Sequence, residues 1–130
     1  MGKEKADIKI LIVDDNAKDL KLLELRLLEL GFRNIVQATN GMEALELAQI
    51  HLPDLILLDI IMPGMNGGEI KQQLSDDQNT KDTPTVFITS IIRKDEEKSL
   101  GHAGKHILLA KPYSPDELLK AINKILKIST

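Results

Sequence analysis

Five apolar runs of strand length, each followed by a stretch of helical periodicity, constrain this chain more than any other feature of its sequence. The runs occupy 8–15, 34–39, 54–60, 83–90 and 106–110. The first, "IKILIVDD", and the third, "DLILLDI", are nearly continuous in apolar and branched residues, the pattern of a strand buried on both faces. Helices are predicted at 16–30, 40–51, 67–77, 93–101 and 114–127. In 16–30, Leu20, Leu23, Leu27 and Leu30 share one face and Gly31 supplies a stop. Ser114, Pro115 and Glu117 open the last helix with a capping box. Such βα alternation implies an α/β fold, a parallel sheet with helices on both faces, because parallel neighbours need a crossover helix. In open sheets of this kind, functional groups gather outside the carboxyl ends of the strands.

What stands at those ends is unusual. The first strand ends in Asp14–Asp15, the third in Asp59, the fourth in Thr89 and the fifth in Lys111. Three carboxylates sharing one crevice repel by a few kcal/mol at an effective dielectric near about 20. Lys111 supplies one compensating charge, and a hard divalent ion is the natural second. Mg²⁺ takes oxygen ligands and is typically held by one or two carboxylates plus a phosphate. The crevice therefore reads as a place where a phosphoryl group meets Asp59, neutralised by Mg²⁺ and Lys111 and hydrogen-bonded by the Thr89 hydroxyl. A lone aspartate at a strand end is ordinarily a turn former or helix cap. The co-occurrence of all five residues at one sheet edge is what argues for chemistry.

Composition narrows the classes. The 130 residues fit one domain, 1–130, with a core over about 7–127. Without cysteine, disulfides and thiolate metal sites are excluded. A net charge of −3 and the lack of a basic stripe argue against direct nucleic-acid binding. No apolar stretch suits a signal peptide or membrane insertion, so a cytoplasmic location is expected.

Asp14–Asp15, Asp59 within "DIIMPGMNGGE", Thr89–Ser90 and Lys111–Pro112 together resemble the CheY-like receiver domain of two-component response regulators, in residue type and in spacing. The resemblance implies a flavodoxin-like, doubly wound (βα)5 fold with strand order 2-1-3-4-5. It implies a phosphoprotein in which Asp59 accepts a phosphoryl group from a phosphohistidine on a sensor histidine kinase or histidine phosphotransfer protein. Asp15, Asp59 and the backbone carbonyl of Ile61 would ligate Mg²⁺ directly, and Asp14 would act mostly through bound water. Lys111 would pair with the phosphoryl oxygens, and the Lys111–Pro112 peptide bond would be cis. Catalysis would be confined to the domain's own phosphorylation and slow dephosphorylation. With no effector domain after Lys127, the expected output is contact with a downstream protein target in a phosphorelay.

Three departures from the family pattern carry expectations of their own. Leu108 stands where receivers usually have an aromatic residue, so the switch is expected to rest on Thr89, the 59–66 loop and the 90–101 segment. Ile61 and Ile91 flank the approach of an attacking water and cannot orient it, which predicts slow self-dephosphorylation. Leu22, Leu25 and Leu28 lie off the core stripe of 16–30, as partly buried helix margins or as a docking patch. A haloacid-dehalogenase-type phosphohydrolase also uses a strand-end aspartate, Mg²⁺ and a lysine. It needs an acid two residues after its nucleophile, where this chain has Ile61. A flavin-binding relative is disfavoured by the few aromatics and the acidic crevice, and a phosphorylation-incompetent receiver by the complete acidic set.

Overall fold

The computed structural model describes residues 4–59, 67–89 and 106–127. Ile61, Ser90, Ile91, most of the 59–66 loop and the helix expected at 93–101 lie outside the described residues. The strands are β1 (Lys9–Val13), β2 (Asn34–Ala38), β3 (Leu55–Asp59), β4 (Thr85–Thr89) and β5 (His106–Ala110). The helices are α1 (Ala17–Glu29), α2 (Gly41–His51), α3 (Gly67–Asp76) and α4 (Pro115–Leu126). All paired strands run parallel, in the order β2-β1-β3-β4-β5. The expected α/β, flavodoxin-like sheet is therefore present.

Alternation along each strand feeds two cores. Ile10, Ile12, Leu55, Leu57, Val86 and Ile88 pack with Leu20, Leu23 and Leu27 of α1 and with Leu118, Ile122 and Ile125 of α4. Leu11, Val13, Ile56, Leu58 and Phe87 face the other way, against Ala44 and Ala48 of α2 and Ile70 and Leu74 of α3. Both faces are covered, which is why β1 and β3 read as unbroken apolar runs.

Local chemistry fixes where the helices begin. The Asn16 carboxamide oxygen accepts from the N–H groups of Lys18 and Asp19 at 3.0 and 3.1 Å, setting the first turn of α1 against the end of β1. Asn40 caps α2 through the Glu43 N–H at 2.8 Å. Ser114 and Glu117 form the expected capping box on α4. Gly31 ends α1 at φ +103°, a conformation that favours glycine. A turn of 3-10 helix at Lys5–Asp7, not expected from the sequence, brings the Lys5 ammonium to the Leu30 carbonyl at 3.1 Å and over the Phe32 ring.

Candidate functional site

Strand alternation decides which side chains share the carboxyl edge. Ile10 and Ile12 of β1, and Leu55 and Leu57 of β3, belong to the α1/α4 core, so Asp14 and Asp59 continue that face by one step. Register brings them side by side, because Val13 pairs with Leu58. Ile107 and Leu109 of β5 lie on the same face, and Lys111 follows them over the edge.

Asp14 is only 5% exposed, whereas Asp15 is exposed and Asp59 lies between. One carboxylate oxygen from each of the three lies within 4.8 Å of the others. The set consists of hard oxygen donors around one point. An octahedral Mg²⁺ with ligands at about 2.0–2.1 Å spans pairs up to about 4 Å apart, the same scale as this cluster. The residues fit the ion that the sequence implied.

Lys111 provides the counter-charge. Its Nζ lies 3.2 Å from Asp19 Oδ2, 3.4 Å from Asp14 Oδ2 and 3.9 Å from Asp59 Oδ2. Burial alone would lower its pKa, but Asp14, Asp19 and Asp59 together outweigh burial, so the pKa stands above the ordinary lysine value and the ammonium is retained. Asp14 is held from both sides: its Oδ1 accepts the Asn16 N–H at 2.9 Å while Oδ2 faces Lys111.

Thr89 ends β4 fully buried, and its carbonyl accepts the Lys111 N–H at 2.8 Å, which ties the two strand ends together. The Lys111–Pro112 bond is cis, as expected. Leu108, at the position usual for an aromatic, is half-buried against the α2/α3 core. The structure thus places Asp14, Asp15, Asp59, Thr89 and Lys111 at one edge, while Ile61 lies outside the described residues.

Asp14, Asp59 and Lys111 line one end of a groove of about 420 Å³ that is also walled by Leu22 and Arg26 of α1 and by Tyr113. Leu22 and Leu25 are 48% and 43% exposed, as expected of residues off the core stripe, whereas Leu28 is partly buried. Burial raises the Tyr113 pKa, keeping the phenol neutral at the groove wall. Asp19 and Tyr113 were not singled out from the sequence. Asp19 reads in the sequence as an ordinary first-turn acid, and only the fold brings it to Lys111.

Comparison with known proteins gives one consistent result. The response regulator receiver domain matches residues 10–123. The polar-differentiation response regulator DivK of Brucella anthropi is 33% identical over 117 residues, covering 90% of this chain and 94% of its own. The chemotaxis protein CheY4 of Vibrio cholerae shares the fold with a TM-score of 0.85 at 29% identity, over 91% of this chain and 98% of that one. The receiver domain of a sensor histidine kinase from Pseudomonas aeruginosa, solved with a magnesium ion in its active-site cleft, has a TM-score of 0.83 at 25% identity. That match covers 92% of this chain and 98% of the other. With the family match spanning most of its length and the same fold in these relatives, this chain belongs to the response regulator receiver domain family of two-component signalling.

Proposed function

We propose that this receiver, acting in the cytoplasm as one domain with a core of about residues 7–127, takes a phosphoryl group onto Asp59 from a phosphohistidine of a sensor histidine kinase or histidine phosphotransfer protein. The phosphorylated form then changes its contacts with a downstream protein target. The observation that carries this reading is the convergence of three aspartate oxygens and the Lys111 ammonium on one point at the sheet edge.

In the transfer, an Asp59 carboxylate oxygen bonds to phosphorus as the phosphorus–nitrogen bond of the donor breaks. The leaving imidazole keeps that electron pair and takes up a proton. Lys111 neutralises the phosphoryl oxygens as their charge moves onto Asp59, and the Thr89 hydroxyl donates a hydrogen bond to one of them. Asp15, Asp59 and the Ile61 carbonyl would hold Mg²⁺, which when bound would neutralise phosphoryl charge. Asp14 acts through water; its engagement with Asn16 and Lys111 supports that role. Ile61 and Ile91 give the attacking water nothing to orient it, so the phosphorylated form is long-lived.

Incubation with acetyl phosphate, followed by intact mass, tests the reading. The wild type is expected to gain one phosphoryl group with Mg²⁺ and none when Mg²⁺ is chelated. Equal labelling under both conditions, or none under either, would contradict it.

A further inference from the structure

The cation of the site is not centred on the acceptor. Lys111 Nζ lies 3.2 Å from Asp19 and 3.4 Å from Asp14, but 3.9 Å from Asp59. Asp19 sits in the first turn of α1, where the Asn16 cap fixes its backbone and leaves its carboxylate directed at Lys111. We infer that Asp19 is a positioning residue that parks Lys111 on the α1 side of the crevice, so that each phosphorylation of Asp59 must first draw the ammonium away.

This inference rests on Asp59 being the phosphoacceptor. An ammonium shared between Asp19 and Asp14 is stabilised where it is, and it serves the incoming phosphoryl group only after leaving Asp19. The competing carboxylate therefore slows phosphorylation and weakens the grip of Lys111 on the product. Asp19 is partly exposed, with a side-chain accessibility of 47%, so the competition is modest. Exposed pairs of this kind shift equilibria by roughly two- to fivefold.

Two other accounts of Asp19 make different predictions. An acid in the first turn complements the helix dipole. That role alone predicts lost stability on substitution with no change in phosphorylation rate. Simple repulsion of an anionic donor predicts faster phosphorylation of Asp19→Asn, with a gain that grows with donor charge. Parking predicts the same gain for every donor, because the step removed belongs to the protein.

The test compares wild type, Asp19→Asn and Asp19→Glu. Initial rates of phosphorylation are read by intact mass with acetyl phosphate, a dianion, and with phosphoramidate, a monoanion. Asp19→Asn is expected to be faster by roughly two- to fivefold with both donors, and Asp19→Glu to return toward the wild-type rate. A metal-free crystal structure of Asp19→Asn should show Lys111 Nζ nearer to Asp59 than the present 3.9 Å. An unchanged rate, a gain that scales with donor charge, or an unmoved Lys111 would overturn the inference while leaving Asp59 as acceptor. A wild type that neither donor labels would remove both readings.

Discussion

Lys71 is fully buried on the face of α3 that also carries Ile70 and Leu74 into the core. Its ammonium donates to the Thr83 carbonyl at 3.0 Å and the Thr85 hydroxyl at 3.2 Å. Burial lowers its pKa, and the nearby Asp82 carboxylate only partly restores it. The unfolded chain therefore holds this proton to higher pH than the folded one. Between the lowered folded value and the ordinary 10.5, the unfolded state binds more protons, so stability rises with pH in that window. Denaturant unfolding at several pH values checks this. The wild type should gain on Lys71→Met by up to about 1.4 kcal/mol per pH unit across the window, and parallel profiles would contradict it. The proposed long life of the phosphorylated form rests on Ile61 and Ile91. Ile61→Asn combined with Ile91→Glu is expected to shorten the half-life by up to about a hundredfold, read as loss of the phosphorylated mass over time. An unchanged half-life would contradict it.

At the scale of elements, α1 has two jobs on two faces. Leu20, Leu23 and Leu27 anchor it to the sheet, and Leu22 and Leu25 stay exposed, Leu22 on the wall of the groove that includes Asp59. That exposed pair is the surface we propose for the phosphohistidine-bearing partner. Leu22→Glu with Leu25→Glu should slow transfer from the protein donor by about tenfold, the effect of losing about 1.4 kcal/mol of contact. Labelling by acetyl phosphate should stay within about twofold, since exposed substitutions change the fold little. Equal slowing with both donors would assign the leucines to the fold instead. The last helix is held differently: removing the cap with Ser114→Ala is expected to cost about 1 kcal/mol, a fall of a few degrees in Tm by calorimetry. Both helices were legible because their signals are local, in the leucine spacing and Gly31 for α1 and in Ser114, Pro115 and Glu117 for α4, whereas the Asn16 cap emerged only from the structure. The end of α2 at residue 51 was legible as well, although the chain turns there at Leu52 with φ 47° and not at a glycine.

For the whole molecule, the alternation of elements carried the most information. Parallel order follows from the need for crossovers, and the carboxyl edge then gathers Asp14, Asp15, Asp59, Thr89 and Lys111 whatever the details of packing. What the sequence did not disclose depends on distances across the fold. Asp19 is 92 residues from Lys111 along the chain and reads locally as an ordinary first-turn acid. Lys71 reads as a surface lysine until α3 is turned against the sheet. Both are charges whose meaning comes from their neighbours, and binary patterning treats them only as polar.

Asp59, and no other carboxylate of the cluster, is the proposed acceptor of the phosphoryl group. Fragmentation mass spectrometry of the acetyl phosphate-treated, Mg²⁺-loaded chain, with Asp59→Asn alongside, locates the modified residue. One phosphoryl group is expected on the peptide that contains Asp59, and none anywhere on the variant. A phosphoryl group on Asp14 or Asp15 in the wild type, or a labelled Asp59→Asn, would contradict it.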